Sequence, residues 1–180
     1  MVRIQAMCQL GNSGARRLIP SPPYSYRSDA SVPAFDDSKP LVIFDGLCVL
    51  CSAGVQFMLA RDPDGCSRFA AIQAPLPRAL YAHFGLDAAR FDTFMVLADG
   101  VAHVRWAGVL AAARTMPAPW RWLGMAGRIV PPLLGDPVYD WVQRNRLKWF
   151  GTRQSCFVPD ARTRSRVLAE SAIKSASGKV

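Results

Sequence analysis

Two cysteines separated by two residues, Cys48 and Cys51, form the motif with the clearest chemical potential in this sequence. The apolar run from Leu41 to Phe44 precedes them and is typical of a strand buried on both faces. The residues from Ser52 to Arg61 follow, and their apolar positions at helical spacing predict a helix with one buried face. Those positions are Val55, Met58 and Leu59. The pair is therefore expected where a strand passes into a helix.

A thiol at the start of a helix is unusually acidic. The first backbone N–H groups of a helix are unpaired and stabilise an anion, and the first thiol of a Cys-x-x-Cys pair there has its pKa lowered from about 8.5 to about 3.5–7.5. We therefore expect Cys48 to be the nucleophile and the more exposed of the two thiols. Cys51 lies one turn further along the same side and is expected to attack a mixed disulfide formed at Cys48.

Asp45 precedes Cys48 by three residues, and two roles are open to it. Its side chain can cap the turn between strand and helix. Alternatively, its carboxylate can accept a proton from Cys51 during resolution, although its charge would oppose the lowering of the pKa of Cys48. We predict a catalytic site made of Cys48, Cys51 and Asp45.

Two other interpretations of the cysteine pair stay open. The pair can be half of a zinc site, but Cys66 and Cys156 are single and distant, and His83 and His103 have no ligand spacing. The thiols can also be inert and structural. We predict neither a metal ion nor an organic cofactor.

Composition indicates one soluble domain with tails. The chain has 180 residues, of which 51% are hydrophobic and 19% charged. No run of 18 apolar residues occurs, and Arg121, Arg128 and four prolines interrupt the most apolar stretch, Pro117 to Gly135, so no membrane span is predicted. Five cysteines without regular spacing favour a reducing compartment, and we predict a cytoplasmic protein.

The two ends of the chain differ from its centre. Residues 1–39 mix Pro, Ser, Arg and Gly without periodicity, which predicts a disordered tail. The same arginines, with no acidic residue before Asp29, also resemble an organelle transit segment. Residues 161–180 form a basic tail that is expected to fray. The domain is predicted to span residues 40–160.

The central residues predict a strand, helix, strand, helix, strand, strand, helix order. The predicted elements are Leu41–Phe44, Ser52–Arg61, Ser67–Gln73, Arg78–Phe84, Thr93–Ala98, Val101–Trp106 and Ala107–Thr115. A helix between the first two strands implies a parallel pair, and Asp99-Gly100 predicts an antiparallel hairpin. We predict an α/β fold with the thioredoxin-like arrangement, a mixed four-stranded sheet with flanking helices and the cysteine pair after the first strand.

A helical extension is predicted over residues 117–151. Its first helix is expected from Trp120 to Ile129, and its second from Asp136 as N-cap, with Pro137 at the first position, to Gly151 past the end. An apolar stripe on the second helix is expected to be buried against the domain. The stripe comprises Val138, Trp141, Val142 and Trp149.

Two separated blocks of this sequence resemble a known family. The first is D-G-x-C-x-x-C with the following V-x-F and R-D, and comprises Asp45, Gly46, Cys48, Cys51, Val55, Phe57, Arg61 and Asp62. The second comprises Tyr139-Asp140-Trp141, Asn145-Arg146, Trp149-Phe150-Gly151, Cys156 and Pro159. Together they resemble the DCC family of predicted thiol-disulfide oxidoreductases, named for that Asp-Cys-Cys set, over roughly Pro40 to Leu168.

The chain departs from related patterns at two places. Arg105-Trp106 stands where the family usually carries Ser-Asp after the fourth strand. Thioredoxins proper place a cis-proline before the third strand, whereas Asp92-Thr93 precede that strand here. Docking of a substrate against such a proline is therefore not expected.

These observations predict a thiol-disulfide oxidoreductase of the protein-disulfide reductase type. Its partners would be a protein or low-molecular-weight disulfide and a thiol electron donor that the sequence does not identify. The formal charge of +9 is spread without a nucleic-acid motif, so no nucleic-acid partner is expected. The alternative is a catalytically silent thioredoxin-like module that docks an acidic partner or membrane surface through its basic C-terminal region.

Overall fold

The computed structural model describes residues 21–91 and 93–168. Its strands are β1 (Leu41–Phe44), β2 (Arg68–Ala71), β3 (Met95–Ala98) and β4 (Val101–Val104). Its α-helices are α1 (Val49–Arg61), α2 (Pro75–His83), α3 (Arg105–Arg114), α4 (Trp120–Ala126) and α5 (Pro132–Phe150). Short 3-10 helices cover Ser25–Ser28, Gly127–Ile129 and Arg164–Arg166.

The four strands form one mixed sheet in the order β2-β1-β3-β4. Strand β1 is parallel to β2 and antiparallel to β3, and β3 pairs antiparallel with β4. Asp99 and Gly100 form the hairpin turn with φ angles of 50° and 73°, the left-handed values that a two-residue hairpin needs. The predicted α/β fold is confirmed, and its mixed sheet is consistent with the thioredoxin-like arrangement.

Strand β1 lies at the centre of two apolar clusters because its side chains alternate between the faces of the sheet. Leu41 and Ile43 belong to the cluster beneath α2. Val42 and Phe44 belong to the cluster beneath α1 and α3. No side chain of β1 is more than 1% exposed. The buried strand therefore fixes the position at which the loop with the cysteines begins. The predicted buried face of α1, formed by Val55, Met58 and Leu59, is confirmed.

The start of α3 differs from the prediction. Strand β4 ends at Val104, and Trp106 belongs to the helix rather than to the strand. The chain turns at Arg105, whose φ is 52°. Two side chains accept hydrogen bonds from the free N–H groups of the helix start: Thr93 Oγ1 from Arg105 N at 3.2 Å and Asp136 Oδ1 from Trp106 N at 3.3 Å.

This contact explains why the predicted N-cap of the last helix is wrong. Helix α5 starts at Pro132, with Pro131 as its N-cap, and Asp136 and Pro137 lie inside it. Asp136 caps α3 instead of its own helix. The end at Gly151, with a φ of 79°, agrees with the prediction.

The expected burial of the apolar stripe on α5 is also wrong. Val138, Trp141 and Trp149 are 60%, 56% and 49% exposed. The extension packs through its glycines, since a β-carbon on Gly127 would collide with Leu110 and one on Gly135 would collide with Trp106. Glycine allows close approach of two helices, and the large apolar side chains then point away from the contact.

The segments beside the domain pack on it where the structure describes them. Tyr26 is 2% exposed in the core, and its hydroxyl donates to Asp37 at 2.7 Å. Val167 bridges to Phe69 of β2. The predicted disorder is therefore wrong for residues 21–39, and the predicted fraying is wrong for residues 161–168. Residues 1–20 and 169–180 lie outside the described residues.

Candidate thiol-disulfide site

Cys48 is the N-cap of helix α1, and Cys51 lies in its first turn. The Sγ atom of Cys48 accepts a hydrogen bond from the backbone N–H of Cys51 at 3.2 Å. The apolar strand β1 and the turn at Asp45 and Gly46 place the first thiol here. An anionic sulfur at this position takes the place of the capping oxygen that satisfies a free N–H group.

The two thiols have opposite pKa shifts. Hydrogen bonds from Cys51, first from its thiol and then from its backbone N–H, lower the pKa of Cys48 to about 6 against the cost of burial. The pKa of Cys51 is raised, because its thiol donates to Cys48 and is itself desolvated. These shifts favour the thiolate form at Cys48 and the thiol form at Cys51.

The expectation that Cys48 is the more exposed thiol is wrong. Cys48 is 0% exposed, whereas Cys51 is partly exposed. Residues 151–157, which we call the closing segment, run antiparallel to the cysteine turn and cover it. Thr152 forms a bridge with Cys48, and Arg153 N donates to Leu47 O at 2.7 Å.

Asp45 is held by several contacts at the end of β1. Its Oδ1 accepts from the N–H of Leu47 and from Nε2 of Gln73, both at 3.0 Å. Its Oδ2 lies 3.6 Å from Nη2 of Arg146. The negative charge of Asp45 raises the pKa of both Cys48 and Cys51. Asp45 thus caps the turn and also acts electrostatically on the thiols.

Arg146 brings a positive charge to the site from helix α5. Its side chain is 8% exposed and its guanidinium donates to the carbonyl oxygens of Gln143, at 2.7 Å, and Phe91, at 3.3 Å. The charge lowers the pKa of Cys48 and Cys51. Arg146 and Asp45 therefore act in opposite directions on the same two sulfurs.

Cys156 is distant in sequence but lies against the cysteine turn. A β-carbon on Gly46 would collide with the sulfur of Cys156, so glycine is required there for the closing segment to approach. The same sulfur lies 3.8 Å from Oε1 of Gln73. Burial raises the pKa of Cys156, which keeps this third sulfur a neutral thiol.

Two residues that contact Asp45, Gln73 and Arg146, were not predicted as site residues. Gln73 follows β2, which is parallel to β1, and the carboxyl ends of parallel neighbours meet at one edge of a sheet. That rule could have placed Gln73 beside Asp45. Arg146 belongs to the second block of the family resemblance, but nothing in that block predicted its place beside Asp45, since an arginine on a helix is usually solvated.

The family model of the DCC1-like thiol-disulfide oxidoreductases matches residues 42–152. This chain belongs to that family. Among its curated relatives in the DCC1-like family, the uncharacterized protein YuxK of Bacillus subtilis is 35% identical over 128 residues, which are 71% of this chain and 93% of that protein. A DCC family protein of Arabidopsis thaliana, described as chloroplastic, is 25% identical over 154 residues, 86% of this chain and 90% of that protein. No solved structure matches the chain.

The matched region of this DCC1-like protein contains the five site residues Cys48, Cys51, Asp45, Gln73 and Arg146, whereas Cys156 lies just beyond it. Within residues 21–91 and 93–168, no group of three or more His, Cys, Asp or Glu side chains could hold a metal ion. Over the same residues, every helix is too short or too polar to cross a bilayer.

Proposed function

We propose that this protein exchanges disulfides with a protein or low-molecular-weight partner through Cys48 and Cys51. The observation that carries the proposal is the N-cap position of Cys48, whose sulfur receives the Cys51 N–H at 3.2 Å. With a pKa of about 6, Cys48 is about nine-tenths thiolate at pH 7. A thiolate is the attacking species in disulfide exchange.

The exchange has two steps. The Cys48 thiolate attacks one sulfur of the partner disulfide, so that a Cys48–partner disulfide forms and the partner's second sulfur leaves as a thiolate. Cys51 then loses its proton and attacks Cys48, which forms the Cys48–Cys51 disulfide and releases the partner's first sulfur. The partner gains two electrons, and a thiol donor must return two electrons to the pair.

Asp45 is proposed to take the proton that Cys51 loses in the second step. Its charge acts on Cys51, and its Oδ1 is fixed by Leu47 and Gln73, which leaves Oδ2 beside Arg146. Of the two roles considered for Asp45, the cap rests on the hydrogen bond from Leu47 N to Oδ1, and the base role rests on the effect of its charge on Cys51.

Cys48 needs access to its partner, and the closing segment must move to provide it. Its sulfur belongs to a residue that is 0% exposed. Three backbone hydrogen bonds join the segment to the turn: from Val49 N to Gly151 O at 3.4 Å, from Arg153 N to Leu47 O, and from Phe157 N to Gly46 O at 3.0 Å. We propose that these bonds open transiently during exchange.

The roles of the two thiols are tested with serine variants. Cys51→Ser should accumulate a mixed disulfide at Cys48, because attack persists and resolution is lost. Cys48→Ser should accumulate none. Mass spectrometry after reaction with a disulfide-bonded peptide measures both. Full disulfide-reductase turnover in both variants would contradict the proposal.

The direction of exchange and the compartment are also proposals. A reducing compartment such as the cytoplasm favours reduction of the partner, since the donor pool keeps the Cys48–Cys51 pair as a dithiol. The chloroplastic relative makes an organelle a second candidate location. Titration of the pair against a glutathione redox buffer gives its potential and hence the direction.

A second candidate function follows from the exposed apolar residues of the extension. The largest exposures are those of Trp122 (64%), Ile129 (85%), Leu133 (82%) and Leu134 (61%). Arg121 and Arg128 lie among these residues, in a chain of formal charge +9. Apolar side chains with interspersed cations match the interface of a bilayer that contains anionic lipids.

This alternative makes the protein a docking module without catalysis, and vesicles distinguish it from the redox proposal. Sedimentation with phosphatidylglycerol vesicles, lost in Ile129→Glu and in high salt, would support docking to a membrane. Binding equal to that of neutral vesicles would count against it, as would a dimer in solution that covers the same residues. Loss of exchange activity in Cys48→Ser would show that the protein is not catalytically silent.

A further inference from the structure

A cleft of about 530 Å³ opens beside helix α5, next to the cysteine site. Its walls carry four arginines and one carboxylate: Arg90, Arg105, Arg144, Arg146 and Asp140. The volume lies in the range of pockets that bind small molecules, about 300–1,000 Å³. The cleft is therefore large enough for a molecule the size of a short peptide.

Two of the four cleft arginines are paired with a carboxylate: Arg105 lies 3.7 Å from Asp140, and Arg146 lies 3.6 Å from Asp45. The other two carry charge that the described residues do not offset. Over residues 21–91 and 93–168, no carboxylate pairs with Arg90 or Arg144. Like charges held around one concavity create a positive potential that favours an anion, and guanidinium groups bind carboxylates with paired hydrogen bonds.

A simpler interpretation is that these arginines form a solvated rim, since Arg90, Arg105 and Arg144 are exposed. Arg146 argues against it. That residue is 6% exposed, and its Nε is buried without a hydrogen-bond partner among the described residues. A buried guanidinium with an unused donor is costly, which is typical of a built site rather than of a solvated surface.

Arg146 also connects the cleft to the thiols. It lines the cleft, and its Nη2 lies 3.6 Å from Oδ2 of Asp45, three residues before Cys48. A molecule whose anionic groups contact the cleft arginines would therefore lie against Arg146, the residue that contacts Asp45.

We propose that this cleft binds the anionic groups of a low-molecular-weight thiol or disulfide that carries two or more carboxylates and presents its sulfur to Cys48. This inference rests on the exchange function proposed above and names its small-molecule partner class. The Cys48 thiolate attacks the bound disulfide, and one small thiolate leaves. Cys51 then passes its proton to Asp45 and attacks Cys48, which displaces the second small thiolate. The Cys48–Cys51 pair becomes a disulfide, and the small disulfide becomes two thiolates, which take up protons from Asp45 and from water.

Arg105 adds a further cation to the wall of the cleft. Its φ is 52° at the start of α3, and it lines the cleft together with Arg90 and Arg144. A wall with this charge favours an anionic ligand over a cationic one.

The test compares three disulfides of different charge: oxidised glutathione, bis(2-hydroxyethyl) disulfide and cystamine. For each disulfide, the second-order rate constant for oxidation of the reduced protein is measured. This constant is then divided by the rate constant for oxidation of dithiothreitol by the same disulfide. We expect the normalised constant to be at least about tenfold higher for the anionic than for the neutral disulfide and lowest for the cation. In the double variant Arg90→Ala/Arg144→Ala, the ratio of the anionic to the neutral rate constant should be about tenfold lower than in the wild-type protein. Arg162→Ala removes one exposed arginine outside the cleft and should keep that ratio.

A binding measurement separates this inference from the exchange function. S-methylglutathione carries the carboxylates but cannot exchange, and calorimetry should detect its binding to the wild-type protein and at least tenfold weaker binding to Arg90→Ala/Arg144→Ala. If all three disulfides oxidised the protein without charge preference and the analogue did not bind, the proposed anion-binding role of the cleft would be refuted. The exchange function would not be contradicted by that result. Binding of the analogue without oxidation by any disulfide would leave the cleft as an anion site and overturn the exchange function.

Discussion

Replacement of Arg146 by methionine removes the buried cation of the site while keeping a side chain of similar length. Its guanidinium lies 3.6 Å from the Asp45 carboxylate, and the two side chains are 8% and 13% exposed. At an effective dielectric constant of about 20, two unit charges at this distance attract by about 5 kcal/mol before the cost of desolvation is subtracted. Removal of one partner from a buried pair costs about 3–5 kcal/mol, because the other charge remains buried.

The carbonyl oxygens that Arg146 contacts contribute less to this cost. Phe91 O also accepts from Nε2 of Gln143 at 3.0 Å, so it keeps a partner in the variant. The destabilisation should therefore come mainly from Asp45. We expect Arg146→Met to lower the free energy of unfolding by about 3 kcal/mol, and Asp45→Asn in the same chain to restore about 1–3 kcal/mol of that loss.

The same substitutions should move the pKa of Cys48 in opposite directions. Arg146 lowers that pKa and Asp45 raises it. We expect the pH midpoint for reaction of Cys48 with iodoacetamide to follow its pKa of about 6 in the wild type. This midpoint should rise in Arg146→Met and fall in Asp45→Asn, each by at least about half a pH unit.

Urea unfolding measures the stability, and alkylation between pH 4 and pH 9, followed by peptide mass spectrometry, measures the midpoint. Lys148→Met removes an exposed charge from the same helix and should change neither quantity. A midpoint that moves the same way in both variants, or a more stable Arg146→Met protein, would refute the electrostatic argument.

Three further predictions concern the pH response, the closing segment and the extension. The reduced protein should gain unfolding free energy relative to Cys48→Ser as the pH rises from about 6 to about 9, because in this window the unfolded chain binds a proton at Cys48 that the folded chain has lost. Urea midpoints measured at several pH values test this, and a gain confined to pH below 6 would contradict it. Arg153→Pro removes the N–H that donates to Leu47 O and should speed alkylation of Cys48 severalfold. Arg153→Ala keeps that N–H and should not change the alkylation rate. Equal alkylation rates in the two variants would show that the closing segment does not restrict access to Cys48. Gly135→Leu should destabilise the protein by about 1–3 kcal/mol, since a side chain there meets Trp106, and an unchanged thermal midpoint would show that the helices separate without cost.

Sequence patterns that span only a few residues predicted several elements of this fold. Apolar residues without a break predicted the buried strand β1, and helical spacing predicted the buried face of α1. Asp99-Gly100 predicted the hairpin, and Gly151 the end of the last helix. Each of these features depends on residues within a few positions of one another, so the sequence contains the whole interaction.

The errors concern contacts between residues far apart in the chain. Asp136 had the sequence pattern of an N-cap, but its carboxylate caps α3, a different helix. The stripe on α5 had the pattern of a buried face, yet Gly127 and Gly135 make the contact. Helical spacing shows that residues share a face, but it cannot show which face meets the domain.

The candidate site likewise combines features set by neighbouring residues with features set by contacts between distant segments. The sequence by itself determined that Cys48 lies at a helix start with Cys51 one turn on, because strand, turn and helix are consecutive. The tertiary structure alone decided that Thr152 covers Cys48 and that Arg146 lies beside Asp45. The acidity of a thiol and its access to solvent depend on charges and surfaces brought from distant segments, and only packing of the whole chain sets those distances.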